Sequence, residues 1–564
     1  MRIWDIDRDS LLRIPLSYVP RATEAIPKSE FGIGGAALTK EEILLRYRVL
    51  SSRIAAFFSH NDKLHNARFA KAHELTSLLS PTVDGTHLLL GESHFSHVLR
   101  VQPTTERREL GHMLACGPTG SGKTLLITSQ LYTWPFSAVV NDVKGEIWNL
   151  TGRYRATLGP VYVVDPIAGV GNQYDPLHGR DTEDKLLSSA KHLLFEPHEG
   201  DGIVFRQRAE KMLTQLFRAA RLENQALGKE TYRLLPYVRH MVNGGLKQAA
   251  ERLQAISPEL ATKFLAGAFA QTDFKEDKFL LSAWGTLDTR LYSLLTDNVV
   301  RCCAGSDFTP SALMTSEQPI TVYLRWPEPE LLALAPLIRL VWESLIYELI
   351  TTYDTATGNN CKPVLLLIDE AGRTASIPNL PDHLTTVRSR GISLVVAIQS
   401  LSQLIAIWGK ARQEDILNNC ESHVYYRPSS HETAEDLQKW LGDTSGFAHS
   451  ETDHEGAISK GSSEQRVALM TAQEIKQLED DEIIGWHRNL PPFRAKRMNW
   501  RRFPLLRQRQ AIPPPPLSAL PALEENLPEP ASRKPVPLAS WHMDPNLFRK
   551  WRPLHAPNGI EKRV

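Results

Sequence analysis

The 564-residue chain is 42% hydrophobic and 23% charged, the balance of an ordinary globular protein, which excludes a collagen-like or wholly disordered character. Its length suits about three to five domains, or one large α/β unit carrying an insertion. A formal net charge of +1 points to no partner, so any nucleic-acid surface has to be local.

The five cysteines, Cys116, Cys302, Cys303, Cys361 and Cys420, are scattered with no C-x-x-C spacing, as expected in a reducing compartment. No apolar run reaches the roughly 18 residues of a transmembrane helix. Asp5, Asp7, Arg8 and Asp9 interrupt the stretch where a signal peptide needs its apolar core. A cytoplasmic location is expected.

In chain order, residues 1–110 read as a partly helical lead-in. Thr39 to Glu42 fits a capping box, and Ile43, Leu44, Tyr47, Leu50 and Ile54 follow at helical spacing. The six histidines from His60 to His97 lack a convergent ligand spacing and read as surface or core residues.

The apolar run Met113 to Cys116 leads into Gly117-Pro118-Thr119-Gly120-Ser121-Gly122-Lys123-Thr124. This fits the P-loop pattern at every fixed position, in the strand, loop, helix context that the motif requires. The glycines let successive N–H groups converge on phosphate oxygens at a helix N-terminus. Lys123 is then expected to reach the β/γ-phosphates, with the Thr124 hydroxyl on Mg²⁺.

Ala138 to Asp142 and Val161 to Asp165 read as buried parallel strands with polar C-terminal ends. Asp142, Lys144 and Glu146 are either near-site groups or the solvated charges of a helix N-terminus. From 179 to 312 strand signals give way to amphipathic segments, Asp184 to Leu194, Phe205 to Leu222 and Ser257 to Ala268 among them, with Ser257-Pro258 as an N-cap and N1 pair. Strands resume at Ile320, so an all-α block is inserted within the nucleotide-binding fold.

Val364 to Ile368 followed by Asp369-Glu370 is a Walker B pattern. Asp369 would hold Mg²⁺ and Glu370 would polarise the attacking water. Leu394 to Ile398 ends in Gln399, placed as a γ-phosphate sensor or as a turn residue. Arg373, Arg388 and Arg390 are arginine-finger candidates. Val424 to Tyr426, Ile483 to Trp486 and Phe493 to Asn499 read as closing strands. From 504 a proline-rich tail is expected to be extended and disordered, and its Trp541 to Trp551 segment reads either as a docking motif or as a terminus without function.

Together these stretches, from about Asn66 to Arg501, resemble the TraG/TraD-like coupling proteins of conjugation and type IV secretion. The resemblance is carried by the P-loop, by Asn141-Asp142-Val143-Lys144-Gly145-Glu146 with Val143 where the family has proline, by Asp165-Pro166 and by Tyr174-Asp175-Pro176-Leu177. It is most specific from Leu366 to Leu404, with Asp369-Glu370-Ala371, Ile377-Pro378, Arg388-Ser389-Arg390-Gly391 and Gln399-Ser400. It implies catalytic roles for Lys123, Glu370, Gln399 and a subunit-bridging Arg388, with Thr124 and Asp369 as metal ligands and ATP and Mg²⁺ as cofactors.

The expected fold is α/β: a RecA-like P-loop core over 111–178 and 313–503, an all-α domain inserted at 179–312, and a proline-rich C-terminal tail. The implied assembly is a homo-hexamer that drives single-stranded DNA with its relaxase, or effector proteins, into a type IV secretion channel. Family members usually carry N-terminal transmembrane helices, so this chain is expected to dock at the inner membrane on a separate anchor protein, to act before the channel, or to begin at a later start than its relatives. Competing readings are a cytosolic FtsK/HerA-type DNA translocase and a nucleotide-binding adaptor without turnover.

Overall fold

The computed structural model describes residues 66–93, 97–104, 109–195, 202–265, 277–356, 361–372, 377, 379–454, 457–511 and 513–523. The described residues divide between two compact units, one within residues 1–172 and 307–519, the other within 173–306 and 520–564.

The first unit is built on a mixed sheet, of 13 strands among the described residues. In chain order its strands are β1 (Leu79–Ser80), β2 (Leu88–Glu92), β3 (Val98–Val101), β4 (His112–Cys116), β5 (Ser137–Asp142), β6 (Val161–Asp165), β7 (Val170–Gly171), β8 (Thr321–Arg325), β9 (Val364–Ile368), β10 (Ile392–Ile398) and β11 (Cys420–Tyr426). A separate hairpin, β12 (Asp443–His454) with β13 (Ala457–Ala468), follows; β14 (Glu482–His487) and β15 (Phe493–Lys496) complete the main sheet. The order is β1-β3-β2-β15-β14-β11-β4-β10-β9-β5-β8-β6-β7.

The seven strands from β11 to β6 are parallel. β4, β5, β9 and β10 are buried at every position, which explains why they read as unbroken apolar runs rather than alternating ones. β10 lies between β4 and β9, in register Val395↔Met113 and Val395↔Leu367. The segments after three neighbouring strands are thereby brought to one edge, the usual ligand crevice of such sheets.

Several expectations need correction. The helical part expected in the lead-in, residues 39–54, lies outside the described residues; the described part adds strands that the sequence did not suggest, with Leu88, Leu89 and Leu90 fully buried and β2 paired with β3 and, at one register position, with β15. Its apolar face is satisfied by a distant strand, which no local pattern announces. The capping box Thr39–Glu42 lies outside the described residues. The tail starts later than 504, because Pro504–Gln510 is a helix with Leu506 at 0% exposure and Arg509 bonded to Asp84 and to the Tyr132 carbonyl. Trp541 to Trp551 lies outside the described residues.

The second unit is helical where described. Ile203–Leu227 and Leu234–Ile256 are joined by a bidentate ion pair, Arg252 Nε and Nη2 donating to Glu223 at 3.0 and 2.8 Å. Asn224 closes the turn between them through Tyr232 N–H and C=O. Ser257 occupies the N-cap of Pro258–Phe264 without a side-chain capping bond. Its first segment runs from Gln173 to Ser306, a few residues before each end of the expected block. Among the described residues no helix is long and apolar enough to cross a membrane.

Three buried histidines give the first unit an acid limit. His112 Nδ1 accepts from Leu394 N–H at 3.0 Å while Nε2–H donates to the Leu384 carbonyl at 2.8 Å, a neutral tautomer. Burial pushes His112, His87 and His423 each down to about 4. The unfolded chain takes up these protons near pH 6.5 and the folded chain does not until about pH 4. Their contribution is therefore fully present above pH 6.5 and is lost as pH falls towards 4. Urea midpoints should drop between pH 7.5 and pH 5, and His112→Gln should reduce that drop.

A P-loop site at the C-terminal edge of the sheet

Gly120 and Gly122 of the P-loop sit at φ 81° and 113°, conformations that cost other residues strain. A Cβ on Gly122 would approach Arg497 Cδ to 3.0 Å, and one on Gly117 would meet Tyr426 Cβ at 2.6 Å. The helix Lys123–Thr133 that follows has no side-chain cap and no acidic residue in its first turn, so its N–H groups remain available to an anion.

Lys123, only 5% exposed, donates to the carbonyls of Gly117 at 2.5 Å and Pro118 at 3.0 Å. Burial lowers its pKa, opposed by the nearby charges of Glu370 and Asp369, while Lys144 adds to the lowering. Lys123, Asp369 and Glu370 thus share one electrostatic neighbourhood although they are remote in sequence.

Asp369 and Glu370 are 8% and 6% exposed at the end of β9. Asp369 Oδ1 accepts from Glu370 N–H at 3.1 Å, and its carbonyl accepts from Asn141 Nδ2 at 2.8 Å. Burial, and then the Glu370 charge, push Asp369 up to about 7. Glu370 holds φ 55°, a left-handed conformation worth on the order of 1 kcal/mol of strain in a non-glycine residue.

Gln399, just past β10, donates Nε2–H to Glu370 Oε2 at 2.7 Å, while its own N–H donates to Gln403 Oε1 at 3.0 Å. Gln403 thereby orients Gln399, and a Cβ on Gly372 would collide with it at 2.2 Å.

The residue set fits Mg²⁺ and a nucleoside triphosphate. Two adjacent buried carboxylates, with Asp369 raised by burial and by the Glu370 charge, suit a divalent cation. Glycines at positive φ and an uncapped helix start suit phosphate. Among the described residues the Ser121 hydroxyl and Arg497 Nε are buried without a hydrogen-bond partner at the edge of a cavity of about 240 Å³.

Other candidates have other roles. Asp142 caps the helix Glu146–Leu158, accepting from Trp148 N–H at 2.7 Å, and burial pushes it up to about 6. Lys144 and Glu146 are exposed. Arg390 makes a bidentate pair with Asp354; Arg373 lies outside the described residues. Arg388 donates to Glu421 Oε1 at 2.9 Å and lies 4.0 Å from Glu109. It precedes β10, whose seven residues put it roughly 23 Å from the P-loop edge.

Sequence reasoning missed the residues at the mouth of the loop. Arg497 Nη1 donates to the Ser121 carbonyl at 2.7 Å, the Tyr426 hydroxyl reaches the Gly122 carbonyl at 3.4 Å, and Arg427 pairs with Asp480 at 2.9 Å. Tyr426 and Arg497 both lie in stretches read as closing strands, but nothing in the sequence set either beside the P-loop.

The chain is 24% identical over 451 residues to a conjugal transfer protein TraG of Escherichia coli, covering 72% of this chain and 70% of TraG. It is 23% identical over 424 residues to Protein VirD4 of Rhizobium radiobacter, covering 70% of this chain and 57% of VirD4. The plasmid coupling protein TrwB, solved in complex with ADP and Mg²⁺, shares the fold at a TM-score of 0.51 and 19% identity, covering 70% of this chain and 89% of that one. The model of the family described as Type IV secretory system Conjugative DNA transfer matches residues 61–519, most of the chain, and the chain belongs to that family.

Proposed function

We propose that the chain is a coupling ATPase that recruits single-stranded DNA with its attached relaxase, or effector proteins, and drives it into a type IV secretion channel. The observation that carries this is the meeting of the P-loop, Gln399 and Asp369-Glu370 at the ends of three adjacent strands, closed by the 2.7 Å bond from Gln399 to Glu370.

Lys123 leaves its loop carbonyls for the β/γ-phosphates, which neutralise the charge its burial disfavours. Thr124 and Asp369 would hold Mg²⁺, which supplies charge neutralisation across the phosphates. Glu370 accepts a proton from the attacking water as the bond from the γ-phosphorus to the leaving ADP oxygen breaks. Gln399 steadies Glu370 and is placed to report the γ-phosphate to the helix Leu401–Asn419 that it precedes.

Arg388, at the far ends of the strands from its own P-loop, would serve the nucleotide of a neighbouring copy. That supports a ring, a homo-hexamer by resemblance, in which hydrolysis depends on assembly. The helical unit is the substrate-receiving surface. The family match favours this reading over a cytosolic FtsK/HerA-type translocase, and the complete catalytic set disfavours an adaptor without turnover.

Purified protein should hydrolyse ATP severalfold faster with single-stranded DNA, and the stimulation should fade with added salt as phosphate contacts are screened. Turnover indifferent to DNA at low salt would count against DNA transport, leaving effector export to be tested by secretion after gene deletion.

A further inference from the structure

A second cavity, of about 810 Å³, lies in the first unit away from the P-loop. One wall is the half of Leu401–Asn419 beyond the break at Gly409 (φ 79°, ψ 166°), presenting Lys410 and Glu414; the opposite wall is the helix His431–Leu441. Glu432, Asp436 and Trp440 follow one another at four-residue intervals, so they form a stripe on one face of that helix. All three line the cavity.

The floor is aromatic. The Trp486 ring stacks on His423 at 4.8 Å and on Tyr425 at 5.0 Å, and Trp440, 44% exposed, meets Trp486 edge-on at 5.9 Å. His423 is uncharged, its Nδ1 facing the Tyr425 hydroxyl and its Nε2 bonded to the Cys420 carbonyl. The rim carries three carboxylates against the one ammonium of Lys410. Among the described residues Glu414 and Glu432 make no ion pair or hydrogen bond, and Asp436 has only Lys439 at 3.9 Å.

We propose that this cavity is a docking site for an arginine-bearing, extended segment of a protein partner, with a guanidinium lying against the indole of Trp440 and bonded to Glu414 or Glu432. Like charges at Glu432 and Asp436 repel along their helix, and an incoming cation converts that repulsion into attraction. A planar cation suits both surfaces, since guanidinium stacks on an indole face and fits carboxylates through its fork. Nucleic acid would also find aromatic faces here, but the carboxylate rim repels its phosphates.

The test uses the full chain and a fluorescein-labelled, end-capped decapeptide with three arginines among glycine and serine, read by anisotropy without nucleotide. Saturable micromolar binding is expected, at least tenfold weaker for the same peptide with citrulline in place of arginine. It should also be at least tenfold weaker for Glu414→Gln/Glu432→Gln and for Trp440→Leu, whose circular dichroism should match the parent. Equal binding of the citrulline peptide, or binding unaltered by both variants, would overturn the proposal. So would a (dT)20 oligonucleotide whose binding is lost in Trp440→Leu, or a Trp440→Leu chain that dissociates in sedimentation while the parent ignores the peptide, which would make this face a contact between copies. None of these readouts depends on ATP turnover.

Discussion

Glu370→Gln should lower ATP turnover by at least about 100-fold, the range for removing a positioned general base, while leaving nucleotide binding intact. The substitution keeps a side-chain oxygen that can accept from Gln399 Nε2 in place of the 2.7 Å bond made by Glu370. It also removes one of two buried carboxylates whose mutual repulsion raises the Asp369 pKa, so the variant should melt no lower than the parent. Lys123→Ala should abolish turnover by a different route, losing the contact to the phosphates and with it nucleotide affinity. Phosphate release measured beside binding of a fluorescent ATP analogue separates the two. Retention of more than a tenth of parental turnover by Glu370→Gln would remove Glu370 from the role of base.

The largest stability effect is expected at Arg155, a fully buried guanidinium on the helix Glu146–Leu158. Nη1 donates to the Trp134 carbonyl at 2.5 Å, Nη2 to the Phe136 carbonyl at 2.6 Å, and Nε to Thr321 Oγ1 at 2.8 Å. The group ties the helix to β8 and to the turn between Lys123–Thr133 and β5. Burial lowers its pKa, and dipoles rather than a carboxylate balance the charge in these bonds. Arg155→Met would leave buried carbonyls unsatisfied, at about 1–3 kcal/mol each, so a loss of at least about 3 kcal/mol is expected in urea unfolding. Arg155→Lys should recover less than half of it, because a single ammonium cannot reproduce the fork. Near-parental stability for Arg155→Met would show that the turn relaxes to find other partners.

Much of the candidate site was legible because its parts are local. A P-loop is eight consecutive residues whose geometry follows from glycine and a helix start, and Asp369-Glu370 and Gln399 each close a short apolar run of the length of a buried strand. The roof of the site was not legible. Arg497 reaches the Ser121 carbonyl because β14 and β15 return antiparallel beside β11, and nothing around Arg497 in sequence marks it. The same holds for β2, which pairs with β15, and for Pro504–Gln510, which packs despite the proline-rich sequence after it.

For Arg388 the sequence offered a family role and two neighbours as rivals; the fold supplies a location, at the strand ends opposite the P-loop and held by Glu421. The aromatic and acidic cavity was invisible for the same reason, since Glu414, Trp440 and Trp486 come from three elements.

By itself, then, the sequence determined the candidates: which residues have the type and short-range spacing suited to gripping phosphate, holding a metal or accepting a proton. Only the tertiary structure decided their company. Placing β10 between β4 and β9 brings Gln399 onto Glu370, and an antiparallel return lays Arg497 over the P-loop, because strand order depends on long-range pairing that no local pattern encodes.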